Sequence, residues 1–119
     1  MNAGLSSKMI DVQVSDVEQV TLVQVNGRVD GTNANQLGSA LVGQIDSGRT
    51  RIVLDLSMVE YMSSAGLREI VMAYKRVQRS AGDVRIVQPS RRVMELLEVS
   101  GLNTVFQIFP SQSEAVRSY

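Results

Sequence analysis

The chain has 119 residues, of which 44% are hydrophobic and 20% charged, and these proportions fit one globular domain and exclude a disordered chain. Twelve basic residues balance twelve acidic ones, so the protein lacks the positive field that holds nucleic acid or an anionic membrane surface. Histidine and cysteine are absent, which removes the commonest proton shuttle and the commonest soft metal ligand.

The chain as a whole predicts a single cytoplasmic domain over residues 1–119, with residues 1–8 as a flexible N-terminus. Met1–Lys8 carries one charge and no apolar run of signal-peptide length. No stretch approaches the roughly 20 apolar residues of a membrane span. We therefore expect no association with a membrane.

The first part of the chain predicts a β-hairpin followed by a helix. Apolar and polar residues alternate from Ile10 to Ser15, and Val20–Val25 is β-rich and close enough to pair with that strand. Asn26-Gly27 then ends or bulges the second strand. Asp30–Asn33 supplies turn and N-cap chemistry. The helix that follows repeats apolar residues at three- and four-residue steps, at Ala34, Leu37, Leu41 and Ile45. It also contains Gly38 and Gly43, which close packing against the sheet would explain.

The middle part of the chain predicts the centre of the sheet and a second helix. Arg51–Leu56 is predicted as a strand, and its Ile52–Leu56 part is apolar on both faces apart from Asp55, which is typical of a strand covered by helices on both sides. Ser57–Ala65 is predicted as a loop at the carboxyl end of this strand, where functional groups tend to lie. The helix begins near Gly66 and places one apolar stripe inward, at Leu67, Ile70, Val71, Tyr74 and Val77.

The last part predicts two short strands and two helices. Val84–Val87 is a strand, Pro89-Ser90 opens a helix with Val93, Leu96 and Leu97 inward, and Gly101 ends it. Val105–Phe109 is a final strand, and a capping box begins a terminal helix. The order β β α β α β α β α predicts an α/β fold with a mixed sheet of four or five strands, an antiparallel N-terminal hairpin and about four helices.

Ser63 and Ser64 stand at the head of the second predicted helix. Ser64 is predicted as its N-cap, with the side-chain oxygen accepting the Leu67 amide. A phosphate on Ser64 would meet the positive end of the helix dipole and would add about −1.5 to −2 charges. Since an uncompensated phosphate is costly to bury, such a modification would release a partner that covers this loop.

Enzymatic and ligand-binding alternatives have less support in the sequence. Tyr61–Gly66 lacks the first glycine of a nucleophile elbow, and the chain has no histidine to act as base. A serine enzyme with a lysine base stays formally open, with Lys8 and Lys75 as the only lysines. The sequence contains neither the P-loop motif Gly-x-x-x-x-Gly-Lys-Ser/Thr nor the dinucleotide-binding motif Gly-x-Gly-x-x-Gly, so it predicts no nucleotide cofactor. The carboxylates are scattered along the chain without EF-hand spacing, so it predicts no metal site.

Two runs of residues resemble a known family. Asp55-Leu56-Ser57 followed by Tyr61–Arg68 looks like the core motif of STAS domains, particularly the stand-alone anti-sigma factor antagonists of bacteria. Val25–Asp30 is similar to the glycine turn of that family, and the element order matches over nearly the whole chain. The resemblance implies a STAS-like single domain that switches partners and catalyses nothing itself.

In that family, the unphosphorylated form binds a GHKL-type serine kinase that doubles as an anti-sigma factor, and the sigma factor is thereby released. The kinase phosphorylates a serine at the start of the second helix, and a metal-dependent serine phosphatase reverses the reaction. Matching Gly66-Leu67 to the family motif places the acceptor at Ser64, the second hydroxyl residue at Ala65 and the aspartate at Ser63. Ser64 is thus the predicted phosphorylation site, with Ser63 in reserve, on a monomer or weak dimer.

The predicted partner-binding residues surround this motif. Asp30 matches the acidic residue of the glycine turn and is expected near the serines, although a cap for the first helix is an equal alternative. Met58 and Met62 are adaptable apolar side chains that either dock a partner or pack locally. Arg68 and Met72 face away from the apolar stripe, where they meet a partner or form a solvated face. The full predicted set is Asp30, Met58, Met62, Ser63, Ala65, Gly66, Arg68 and Met72.

A second functional interpretation is that the chain is a STAS interaction subunit of a regulatory, sensory or transport complex without a sigma factor.

Overall fold

A five-stranded β-sheet in the order β1-β2-β3-β4-β5 organises residues 10–119, the part of the chain that the structure, a computed structural model, describes. The strands are β1 (Asp11–Val17), β2 (Val20–Val29), β3 (Arg51–Met62), β4 (Asp83–Val87) and β5 (Ile108–Phe109). β1 and β2 form an antiparallel hairpin, and every other pair of neighbours is parallel. This confirms the predicted fold class. The predicted flexible segment, residues 1–8, lies outside the described residues.

Four helices connect or follow the strands: α1 (Ala34–Asp46), α2 (Ser64–Gln78), α3 (Arg91–Val99) and α4 (Gln112–Arg117), with a 3-10 turn at Leu102–Thr104. None of the helices in the described part of the chain is long and apolar enough to cross a bilayer. The predicted caps of α3 and α4 are present, because Ser90 Oγ accepts the Val93 N–H and Ser111 Oγ accepts the Glu114 N–H.

The sheet separates two clusters of buried side chains. Ile52, Leu54 and Leu56 of β3 point to the side covered by α1, α2 and α3, whereas Val53 points to the side covered by α4. The central strand is therefore buried on both faces, as its apolar sequence predicted. Asp55, the one charged residue of that run, is 7% exposed. Its Oδ1 accepts the Ser57 N–H at 2.9 Å and its Oδ2 accepts the side-chain amide of Gln112 in α4.

β2 and β3 extend further than the sequence predicted. Ser57–Ala65 was expected to be a loop, but β3 continues to Met62 and pairs with Asn26–Val29. The pairing is irregular, with register shifts after Gln24 and after Gly27, which has a φ of 121°. These bulges break the strict alternation of apolar and polar residues, so the pattern that identifies a strand is missing from the sequence here.

Several finer predictions about packing are wrong. A Cβ on Gly38 would meet the Glu69 side chain of α2, so the nearest contact there is with a helix and not with the sheet. Gly43 is exposed with open space around it. By contrast, Val71, Tyr74 and Leu96 do pack against the core as predicted, although each is half-buried. β5 has two residues and not five, because the chain from Leu102 first forms the 3-10 turn.

The Tyr119 side chain lies on the α4 side of the sheet and joins the starts of β3 and β4 through hydrogen bonds of its hydroxyl group. Its hydroxyl accepts the Ile52 N–H at 3.1 Å and lies 2.6 Å and 2.7 Å from the carbonyl oxygens of Ile52 and Asp83. The Arg85 guanidinium stacks 3.9 Å from the centre of its ring. Burial raises the pKa of Tyr119, with the nearby Asp83 charge as a second cause.

We expect Tyr119→Phe to lower the free energy of unfolding by about 1–3 kcal/mol at neutral pH, because the Ile52 N–H loses its partner. The raised pKa makes this contribution pH-dependent: it is fully present below the unfolded pKa of about 10 and is lost as pH rises above it. Urea unfolding of both proteins at about pH 8 and about pH 11 measures this difference. A gap between wild type and variant that does not shrink at the higher pH would contradict the assignment.

Candidate functional site

The ends of β2 and β3 bring the starts of α1 and α2 together at one edge of the sheet. The Ser63 N–H donates to the carbonyl oxygen of Val29 at 2.8 Å, so the residue before α2 is fixed beside the last residue of β2. Asp30 follows Val29 directly. The parallel pairing of the two strands thus places Asp30 next to the two serines that the sequence singled out.

Ser63, and not Ser64, is the N-cap of α2. Ser63 has an extended backbone and its carbonyl oxygen accepts the Leu67 N–H at 3.1 Å. Its side chain makes no capping hydrogen bond, and its Oγ is buried without a hydrogen-bond partner among the described residues. The prediction that Ser64 caps the helix is therefore wrong, because the chain turns one residue earlier than its sequence indicates.

Ser64 is the first residue of α2 and is exposed. Ser64 is therefore accessible from solvent, whereas the Ser63 Oγ is buried. Gly66, two residues further on, allows this geometry. A Cβ at Gly66 would lie 2.7 Å from Val29 Cγ1 and 2.8 Å from Met62 Cγ, so only glycine lets the first turn of α2 lie this close to the sheet.

Asp30 forms a tight turn before α1. Its Oδ1 accepts the backbone N–H of Thr32 at 2.9 Å and also the Thr32 hydroxyl, and its own N–H donates to Asn33 Oδ1 at 2.9 Å. Asn33 occupies the N-cap position of α1 and its amide donates to the Arg28 carbonyl oxygen. Asp30 thus orders the turn and is partly exposed beside Ser63.

A shallow groove separates the start of α2 from α3. One wall comes from the end of β3 and the start of α2, and the other from one face of α3. The lining residues are Tyr61, Met62, Ser63, Ser64, Arg92, Glu95, Leu96 and Val99. Val99 is 88% exposed and contributes apolar surface at one end of the groove. The guanidinium of Arg28 lies 4.8 Å from the centre of the Tyr61 ring.

The contribution of α3 to the groove was missed in the sequence. Arg92, Glu95, Leu96 and Val99 repeat at three- and four-residue steps, which marks them as one face of a helix. That face was expected to point inward at Leu96 only. Val99, a single exposed apolar residue on this face, does not by itself mark a functional surface, so the sequence carries no local signal for this wall of the groove.

The remaining predicted residues divide among different surfaces. Met62 is 5% exposed and packs in the core, which is the commoner of the two roles considered for it, and its edge reaches the groove. Met58 is 60% exposed but lies beside Asp11 and Asn26, away from the groove. Met72 is 55% exposed in a depression between α1 and α2 that also contains Lys75. Ala65 is half-buried and Arg68 is exposed.

The family model for the STAS domain matches residues 11–115. The chain belongs to the STAS domain family. This STAS domain is 31% identical over 103 residues to the anti-sigma factor antagonist BtrV of Bordetella bronchiseptica, with 87% of this chain and 89% of BtrV covered. It is 29% identical over 99 residues to the anti-sigma-B factor antagonist of Bacillus subtilis, with 83% and 90% covered.

Solved structures agree with the fold of this STAS domain. An anti-sigma factor antagonist from Mycobacterium paratuberculosis superposes with a TM-score of 0.85 at 25% identity, with 92% of this chain and 93% of that chain covered. SpoIIAA of Bacillus in its phosphorylated form superposes with a TM-score of 0.73 at 18% identity, with 91% and 98% covered, a likeness in fold.

The described part of this STAS domain contains no group of three acidic, histidine or cysteine side chains that could hold a metal ion. Lys75, the lysine that a serine enzyme could use, lies eleven residues after Ser64 on α2, or about 16 Å along the helix axis. It is too distant to accept the Ser64 proton. The other lysine, Lys8, lies outside the described residues.

Proposed function

We propose that this STAS domain is an anti-sigma factor antagonist that acts in the cytoplasm and is controlled by phosphorylation of Ser64. The unphosphorylated form binds a serine kinase of the GHKL type that doubles as an anti-sigma factor, and this frees the sigma factor. Phosphorylation by that kinase ends the binding, and a metal-dependent serine phosphatase restores it.

The observation that carries the proposal is the contrast between the two serines. Ser64 is exposed at the head of α2 and lines a groove with apolar and charged walls, while the Ser63 oxygen is enclosed. The names of the relatives support the output, since BtrV and the Bacillus subtilis protein are both described as anti-sigma factor antagonists.

The groove explains how a phosphate on Ser64 would act as a switch. Tyr61, Leu96 and Val99 offer apolar surface beside the hydroxyl, and a partner gains affinity by covering that surface. A phosphate at the edge of that surface loses its hydration when the partner covers it. A partner surface that fits the neutral serine carries no positive charge to compensate for this loss, so binding becomes less favourable. Modification therefore removes affinity while the core remains unchanged.

Mass spectrometry of the reaction with the kinase tests this proposal. The kinase is first captured from the native cell with the unphosphorylated chain, identified, and then produced as a recombinant protein. With ATP, the wild-type chain is expected to gain one phosphate, Ser63→Ala to gain it equally, and Ser64→Ala to gain none. A wild-type mass that stays unaltered, or a phosphate found on Ser63, would overturn the proposal.

A further inference from the structure

We propose that a phosphate on Ser64 is held within the same molecule by Arg92, across the groove, and by Arg68, one helical turn along α2. This inference rests on the proposed phosphorylation and adds to it the groups that receive the phosphate. It also changes how the switch works, because the modified serine would close the groove as well as charge it.

Arg92 is the cation that the fold brings to Ser64. The two residues are 28 positions apart in the chain, yet both line the groove between α2 and α3. Arg92 is exposed and makes no ion pair or side-chain hydrogen bond within residues 10–119. Its neighbour Arg91 is the one whose guanidinium lies 4.0 Å from Glu95. Arg92 is thus a long cationic side chain on the α3 wall of the groove, without an ion-pair partner among residues 10–119.

Arg68 approaches the same point from α2 itself. Residues four apart on a helix are neighbours on its surface, so Arg68 lies over the turn that begins with Ser64. Like Arg92, it is exposed and has no ion pair within the described part of the chain. The adjacent Glu69 does not compete, since its carboxylate lies against Gly38 of α1.

The other charges around the groove do not replace these two. Arg28 is engaged over the ring of Tyr61. Glu95 is the one acidic group that lines the groove, and its neighbour Arg91 partly offsets it. Asp30, beside Ser63, is a second carboxylate near the phosphate but lies outside that lining, and its Oδ1 accepts the Thr32 N–H. Guanidinium groups bind phosphate through paired N–H donors, so two of them on either side of Ser64 form a fork for three phosphate oxygens.

Closing this fork would place the phosphate and the arginine side chains across the groove that Leu96 and Val99 line. The apolar surface offered to a partner would then be covered by the protein's own phosphate and arginine side chains. The charge of the modification would be largely compensated inside the domain. Loss of partner binding would follow from a hidden surface as much as from repulsion.

The test places phosphoserine at position 64 during translation, so no kinase is needed. Phosphorus NMR then measures the second phosphate pKa, which is about 6 for free phosphoserine. We expect a lower value in the wild-type background, and an increase of about 0.3–0.5 in Arg92→Gln and in Arg68→Gln, because each variant loses a charge that favours the dianion. Arg92→Lys keeps the charge and should retain part of the effect. Arg79→Gln, at the far end of α2, is the matched control and should leave the pKa unchanged.

The methyl signals of Leu96 and Val99 provide a second readout. They should move as the phosphate titrates in the wild-type background and stay still in Arg92→Gln. A phosphate pKa that is the same in wild type and Arg92→Gln would overturn the inference, and so would an effect of Arg68→Gln alone. Neither measurement uses a kinase. The proposed function can therefore be contradicted while this inference is supported, and this inference can be contradicted while the proposed function is supported.

Discussion

Ser64→Glu is expected to weaken binding of the recombinant kinase by at least about tenfold, whereas Ser64→Ala should stay within about twofold of wild type. Glutamate adds one charge beside the groove and must be desolvated when the partner covers it, which costs on the order of 1–3 kcal/mol. Alanine removes a hydroxyl that is exposed and fills no cavity. Isothermal titration calorimetry of both variants with the kinase measures the difference.

Ser113→Glu serves as the matched control for that experiment. Ser113 is exposed on α4, which covers the opposite face of the sheet, so the same substitution there adds the same charge far from the groove. Its affinity should equal that of wild type. Equal affinities for Ser64→Glu and Ser64→Ala would show that charge at the head of α2 does not control binding.

The second large effect concerns the fold that holds this site. Gly82→Ala is expected to lower the free energy of unfolding by about 2–3 kcal/mol, because a Cβ there would clash with the Thr50 carbonyl oxygen and would lie 2.7 Å from Val77 Cγ2. That oxygen cannot move away easily. It accepts the Asp83 N–H at 3.0 Å and so begins the pairing of β3 with β4.

Gly43→Ala is the counterpart with the opposite sign. Gly43 lies inside α1, is exposed, and has no atom within 4 Å of the position of an added Cβ. Alanine should raise the free energy of unfolding there by about 0.5–1 kcal/mol, since it is the better helix former. Thermal and urea unfolding of the two variants measures both changes. If Gly82→Ala proved as stable as wild type, the close packing of the turn between α2 and β4 would be refuted.

Local chemistry made much of the architecture predictable. The alternation from Ile10 to Ser15, the run from Ile52 to Leu56 that is apolar on both faces apart from Asp55, and the helix caps at Ser90 and Ser111 are signals carried by adjacent residues. Each of them appears in the structure at the expected place. The family resemblance rested on equally local runs, Asp55–Ser57 and Tyr61–Arg68, and the family match over residues 11–115 confirms it.

Predictions failed where two distant segments set the outcome together. The strand from Ser57 to Met62 forms because it pairs with β2. The bulges in that pairing interrupt the two-residue alternation of apolar and polar side chains by which a strand is recognised in a sequence. Which serine caps α2 was decided by the hydrogen bond from the Ser63 N–H to Val29, a residue 34 positions earlier in the chain. No pattern within α2 contains that information.

Runs of neighbouring residues determine the order of strands and helices, the family, and the position of two serine hydroxyls at the start of a helix. They can do so because backbone propensity and the periodicity of buried side chains act over a few positions. The exposure of Ser64, the enclosure of the Ser63 oxygen and the presence of Arg92 and Ser64 in one groove are properties of the folded molecule. They depend on contacts between segments dozens of residues apart, and the distance and direction of such contacts are set when the helices pack onto the sheet.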